Sequence, residues 1–424
     1  MTRGGALAVG ILLVCAAGVV AAAALAWHPE IDRITPPAAA SFDRYLVAEG
    51  EDLAGLGNCA GCHTDQPSKP LAGGRALDTP FGKVFAPNIT PHPQDGIGTW
   101  SRKAFERAMR RGIARDGTQL YPAFPYDHFT HATDRQIEAL YAWLMTRRPI
   151  AGQAPETRLA GLYGVRPAVA AWNLLYLNEG PLPTDASRSS QWNRGRTLVE
   201  GLGHCGGCHT PRDRFGAEDS ARAYDGAWIE GWYAPPLNAH SPAVRAWTPE
   251  ELYTYLRTGL GPQHAAAAGP MGSVTRALAQ VPDDDVRAIA TYVSSLMANA
   301  PAGKPEPPQP VDRPAVAQQQ HPQAAVLFAG TCAVCHEPGA PMMQQGRPSL
   351  AWGTPLHEDN PHDTVRIILQ GLTPPTGASG PTMPAYADIL SNQQVQELAA
   401  YLRTRFTDKP AWSDVPSAVA EARK

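Results

Sequence analysis

Cys59-Ala60-Gly61-Cys62-His63, Cys205-Gly206-Gly207-Cys208-His209 and Cys332-Ala333-Val334-Cys335-His336 are three copies of one pattern, C-x-x-C-H, and they decide how the chain is read. The copies stand 146 and 127 residues apart, enough for a small domain around each. Six of the seven cysteines are used this way; the seventh, Cys15, lies in an apolar run near the N-terminus. An internal repeat organises the reading before any other signal does.

C-x-x-C-H is the attachment pattern of c-type haem. Two thiols on one helical turn add across the haem vinyl groups, and the imidazole that follows ligates iron. A redox dithiol does not need the following His, and zinc would not need three isolated copies, each with its own domain. The pattern therefore predicts three covalently bound haem c groups. Cys59 and Cys62, Cys205 and Cys208, and Cys332 and Cys335 would hold them, with His63, His209 and His336 on iron.

The flanks repeat as well. A helix-compatible stretch precedes each motif: Phe42 to Leu56, Trp192 to Leu202 and Pro322 to Ala329. An aromatic-Ala-Pro element follows the first two, at Phe85-Ala86-Pro87 and Tyr233-Ala234-Pro235. Trp100 lies 12 residues before Gly112, and Trp247 lies 12 before Gly259, with an amphipathic helix between. The third copy keeps only that helix, Thr364 to Gln370, closed by Gly371. Each unit ends in a further helix. Thr133 with Gln136 and Ser391 with Gln394 start two of these, and Asp283 to Asp285 start the other. No stretch alternates at period two, so few strands are expected.

These signals predict a mainly α fold of three tandem class I cytochrome c domains behind an N-terminal apolar helix. The boundaries read as 1–30 for a signal or membrane anchor, 38–150 for domain 1, 151–186 for a connector, 187–298 for domain 2, 299–321 for a Pro-rich linker and 322–408 for domain 3. The 22-residue apolar run at 6–27 leaves open an uncleaved anchor and a cleaved signal peptide. Either exports the rest of the chain to the periplasmic side of a bacterial inner membrane. Residues 301–322, with seven Pro, read as an extended surface connector. The apolar patch Trp172 to Leu177 reads either as a packed connector or as a membrane- or partner-docking segment.

The sixth iron ligand has to come from downstream. Met383 stands 48 residues after Cys335, and Met271 stands 63 after Cys208. A thioether suits haem iron and raises its potential. Met343, eight residues past Cys335, is too near to reach the other haem face. In the first copy Phe124 stands where a Met is expected and cannot ligate. His128 is the favoured ligand there, with His131, a Met or an open site as alternatives.

The charge balance, 36 basic against 39 acidic residues, rules out an electrostatic nucleic-acid binder. No dinucleotide loop, nucleophile elbow or metalloprotease helix is present.

The chain resembles the tri-haem cytochrome c subunits of bacterial membrane-bound dehydrogenases over essentially its whole length. The resemblance is carried by the three motifs, Thr79-Pro80-Phe81-Gly82 through Asn88-Ile89-Thr90, Gly96-Ile97-Gly98 before Trp100, Trp192-Asn193-Arg194-Gly195 leading to Gly203-His204-Cys205, and Gly269-Pro270-Met271. The stretch Tyr121 to Tyr126 with His128, and Trp27-His28-Pro29, look more like subunits that accompany molybdopterin dehydrogenases of aldehydes or N-heteroaromatics such as nicotinate or isoquinoline. The resemblance implies a respiratory electron-transfer subunit without substrate chemistry of its own. Electrons would come from a dehydrogenase catalytic subunit and leave to membrane quinone, ubiquinone being a candidate, or to a terminal oxidase. The rival readings are a peroxidase-like haem enzyme with an open site in domain 1, and a cytochrome subunit of a terminal oxidase.

Overall fold

The computed structural model describes residues 26–298, 309–341, 343, 348–374 and 380–424. The predicted apolar helix, with Cys15, lies outside the described residues except for its last two positions. No helix among the described residues is long and apolar enough to cross a membrane. The described residues fall into two compact units, those up to Thr184 with Glu200–His204, and those of Asp185–Val199 with those from Cys205 onward.

In the first unit, helix α1 (Arg44–Leu56) starts where the Asp43 carboxylate accepts from the backbone N–H of Tyr45 and Leu46, at 2.8 and 3.0 Å. The attachment motif is itself a short helix, α2 (Cys59–His63). An antiparallel hairpin follows, β1 (Ala76–Thr79) with β2 (Gly82–Phe85), in the register Ala76 opposite Phe85. Helix α3 (Arg102–Arg111) is capped by Ser101 and ended by Gly112 in the left-handed region, φ 62°. A four-residue α4 (Tyr126–Phe129) leads to α5 (Asp134–Met145), opened by the reciprocal Thr133–Gln136 capping box. Helices α1 and α5 cross at Gly50, where a Cβ would collide with the Ala139 carbonyl and come within 2.7 Å of Trp143 Cβ.

The 151–186 connector is built into this unit. Strand β3 (Arg158–Leu159) extends the hairpin by pairing with β2. Helix α6 (Ala168–Tyr176) buries Val169 and Ala170 and sets Trp172 edge-on to Tyr126, centroids 6.2 Å apart. Leu174 and Leu175 face outward, 67% and 72% exposed, so the apolar patch is divided between packing and surface. The segment after Trp27 also belongs here. Arg107 donates to the Pro29 carbonyl at 2.7 Å, and Ile31 N–H donates to the Arg115 carbonyl at 2.8 Å.

The second unit repeats the plan and then varies it. It holds α7 (Ser190–Glu200) up to Val199, α8 (Gly206–His209), the hairpin β4 (Ala227–Ile229) and β5 (Trp232–Ala234), and α9 (Pro249–Thr258). The Thr248–Glu251 capping box with Pro249 at its first turn starts α9, and Gly259, φ 74°, ends it. Helix α10 (Gly269–Leu278) then precedes α11 (Asp283–Ala298). Here Gly195 does what Gly50 does in the first copy: a Cβ would strike the Ala288 carbonyl and lie 2.8 Å from Tyr292 Cβ. Arg194 bonds both oxygens of Asp285 at 2.7 and 2.9 Å, tying α7 to the start of α11.

The third copy comprises α12 (Pro314–Gln320), α13 (Pro322–Thr331), α14 (Ala333–His336), α15 (Thr354–His357), α16 (His362–Gln370), α17 (Asn392–Phe406) and α18 (Val415–Ala422). Its core includes Phe328, Val365, Leu398, Phe406 and Val419, all at most 1% exposed. The expectation of an extended connector over 301–322 is corrected in its second half, because residues 314–320 are helical. Pro314 occupies the helix start, where a missing N–H costs nothing, and Ala317 is fully buried in the core of this copy. Asp312 is engaged just before it by Arg405 of α17, at 2.7 Å.

Candidate haem sites

The first two attachment helices present their histidines in the same way. His63 Nδ1–H donates to the Pro87 carbonyl at 2.7 Å, and His209 Nδ1–H donates to the Pro235 carbonyl at 2.7 Å. Each acceptor ends the aromatic-Ala-Pro element that follows the hairpin. The bond fixes ring orientation and tautomer and leaves the Nε2 lone pair for a metal. Burial lowers the pKa of both imidazoles, with the carbonyl bond acting against it, so each is neutral at pH 7, as a ligand must be. The recurrence of aromatic-Ala-Pro is visible in the sequence; its role as the acceptor for the motif histidine is visible only in the structure.

Burial, and secondarily the neighbouring thiol, pushes the Cys59 and Cys205 thiols up to about 12. A poised redox dithiol needs a depressed pKa, so these pairs do not behave as one.

In the third copy a cavity of about 280 Å³ is lined by Cys332, His336 and Met383 together, with Phe328, Ile368 and Tyr386 among its walls. A thiol, an imidazole and a thioether converging in a largely apolar cavity fit a covalently attached haem with His and Met on iron. Leu260, His264 and Ala266, from the second copy, also line this cavity.

The three copies share a register that locates the remaining candidates. An isolated bridge follows each of the glycines that end α3, α9 and α16: Ile113 with Gln119, Leu260 with Ala266, and Leu372 with Met383. Met271 lies five residues beyond Ala266, in the first turn of α10 and half-buried. Phe124 lies five beyond Gln119, so it stands in register with Met271. Helix α10 thus separates Met271 from the closing helix α11.

His128, in α4, donates from Nδ1 to the Glu200 carbonyl at 2.8 Å, and its ring lies 6.5 Å from that of His204. His131 donates from Nδ1 to the Gly180 carbonyl at 2.6 Å. Both rings are therefore anchored through Nδ1, like His63 and His209.

Repeated C-x-x-C-H helices, each followed further on by a closing helix, define a c-type cytochrome. The cytochrome c family profile matches residues 47–148 and 193–297, and that of cytochrome c oxidase, cbb3-type, subunit III matches 319–402. A nicotinate dehydrogenase subunit of Pseudomonas putida is 44% identical over 414 residues, 95% of this chain and 34% of that protein. The fructose dehydrogenase cytochrome subunit of Gluconobacter japonicus is 35% identical over 89% of this chain and 82% of its own length. The gluconate 2-dehydrogenase cytochrome c subunit of Pantoea cypripedii is 32% identical over 89% and 90%. The chain thus spans about a third of the first of these relatives and most of the other two. It belongs to the family of cytochrome c subunits of bacterial dehydrogenases, electron carriers with covalently bound haem c.

Proposed function

We propose that the chain is a tri-haem electron-transfer subunit that takes electrons from a molybdopterin-dependent dehydrogenase catalytic subunit acting on a nicotinate-like N-heteroaromatic or an aldehyde. It passes them to membrane quinone or a terminal oxidase on the periplasmic side of the inner membrane. The observation that carries the count of three is the cavity lined jointly by Cys332, His336 and Met383, since the third copy departs most from the other two. The partner class is supported by the 44% identity to the nicotinate dehydrogenase protein, about two-thirds of which lies outside the matched stretch.

When bound, haem supplies one-electron redox chemistry; the chain supplies everything that tunes it. The cysteine pairs would hold the macrocycles as thioethers, and His63, His209 and His336 would bind iron through Nε2. Pro87 and Pro235 raise the basicity of their histidines by accepting the Nδ1 proton. Met271 and Met383 would occupy the sixth positions in the second and third copies and hold those haems at higher potential than two imidazoles do. His128 would complete the first site with a second imidazole, giving the lowest potential of the three and suiting it to accept electrons first. With all six positions filled, no iron is open to substrate.

Acid–acetone extraction followed by intact mass should leave three haem masses on the chain, and two or fewer ends the tri-haem reading. Affinity purification of the native complex should bring down a molybdenum-containing protein; a flavin-containing one instead would overturn the partner.

A further inference from the structure

We propose that the outer face of α6, together with Trp27, lies in the phospholipid interface of the membrane, so that the first unit is seated on the bilayer at two points. This rests on the placement at the membrane given above.

Helix α6 buries one side and leaves the other bare. Val169 and Ala170 are buried, and Asn173 turns inward, where its Oδ1 accepts from the buried Tyr126 hydroxyl at 2.6 Å. Ala168, Ala171, Leu174 and Leu175 come out on the opposite side, and all four are exposed. Val165, also exposed, precedes the helix. No charge interrupts this face. Arg166 is the single charged residue between Ala160 and Asn178, and it is engaged elsewhere: its Nη1 donates to the Gln119 carbonyl at 2.6 Å, and its guanidinium lies over the Tyr121 ring at 4.5 Å. An exposed patch of large apolar side chains without charge marks an interaction site.

The path of the chain identifies what covers it. The 22-residue apolar run at 6–27 has about the length of a membrane span and ends at Trp27. The chain is fastened to the first unit directly afterwards. Gln119 Nε2 donates to His28 Nε2 at 2.9 Å, and Arg107 holds the Pro29 carbonyl at 2.7 Å. The same Gln119 accepts through Oε1 from Asn173 Nδ2 at 3.4 Å. One side chain thus links the residue after Trp27 to the residue before Leu174, so the apolar run ends beside α6. Trp27 is 71% exposed at that point, and Trp is enriched where chains meet the lipid headgroups. A protein partner is met by a surface about as polar as the rest of the molecule, which this face is not. A single tether leaves a domain free to turn over the membrane. A second apolar contact beside it fixes which side of the first unit faces the lipid.

The test is photolabelling of the full haem-loaded chain on vesicles of phosphatidylethanolamine and phosphatidylglycerol. The vesicles are doped with a phosphatidylcholine that carries a diazirine on its acyl chain near the glycerol. Lipid adducts are mapped by peptide mass. The expected result is adducts on α6 and at Trp27, at least about tenfold above those on α5, where Glu138 is exposed to water. Leu174→Glu combined with Leu175→Glu should bring the α6 adducts down to the α5 level with the haem spectrum unchanged. Should that variant not accumulate, the wild-type map decides alone. Wild-type α6 adducts no higher than those on α5 overturn the proposal and assign the face to a protein partner or to the apolar run itself. Adducts that persist on α6 in the double variant also overturn it. A chain that binds the vesicles with α6 unlabelled fails only this inference, whereas a chain that does not float with them fails the membrane placement itself.

Discussion

Arg405→Ala should unfasten the third copy. The guanidinium is 2% exposed and bonds Asp312 at 2.7 and 3.3 Å, Glu337 at 2.9 and 2.8 Å and the Tyr401 hydroxyl at 3.1 Å. Glu337 directly follows His336, so this one side chain clamps the attachment helix and the segment before α12 onto α17. Burial opposes the charge, but the bonds to Glu337, Asp312 and Tyr401 outweigh it and hold the group above its ordinary range. Removing one partner of a buried ion pair costs about 3–5 kcal/mol. The carboxylates are 29% and 44% exposed and can be rehydrated, which brings the figure down to roughly 3 kcal/mol. With a urea slope of about 1–3 kcal/mol per molar, the unfolding midpoint of this region should fall by roughly 1–3 M. Urea titration followed by limited proteolysis of residues 309–424 reads that transition separately from the others. Arg405→Lys should lose more than half as much, because an ammonium cannot fork to two carboxylates. A loss below about 1 kcal/mol in Arg405→Ala would refute the clamp.

Three further outcomes follow from the geometry. Gly195→Ala pushes a methyl against the Ala288 carbonyl and should cost at least about 1–3 kcal/mol of stability in chemical denaturation, since backbone cannot step aside. Met271→Ala, Met383→Ala and His128→Ala should each turn one low-spin haem high-spin and able to bind carbon monoxide, while His131→Ala should not; carbon monoxide difference spectra decide each. Burial, aided by neighbouring carboxylates, raises Glu358 to about 8, and burial raises Asp363 to about 6 despite the bond it accepts from Tyr233. The folded chain thus keeps protons that the unfolded chain has released. Stability should therefore fall as pH rises from about 4 to about 8, and Glu358→Gln should flatten that slope in urea midpoints taken at pH 5 and pH 8.

Local signals were legible in this chain wherever the deciding interaction spans a few residues. The three attachment motifs are such signals, and so are the capping boxes at Thr133–Gln136 and Ser391–Gln394, each closed by atoms three residues apart. Met383 is a candidate from its place 48 residues downstream of Cys335, and it shares a cavity lining with His336. Segments whose state depends on distant partners could not be read that way. Composition marks 301–322 as extended, yet Ala317 is buried and Asp312 finds Arg405 across 93 residues. The Pro87 and Pro235 carbonyls became acceptors only because hairpins returned them to the motif histidines, 24 and 26 residues back. His264 looks like any loop histidine in sequence; its burial, its stack on Trp247 and its place on another copy's cavity wall arise from packing alone. A residue type at a spacing specifies what a side chain can bind. Which partner it meets is decided by contacts far apart in sequence, formed only when helices pack and exclude water.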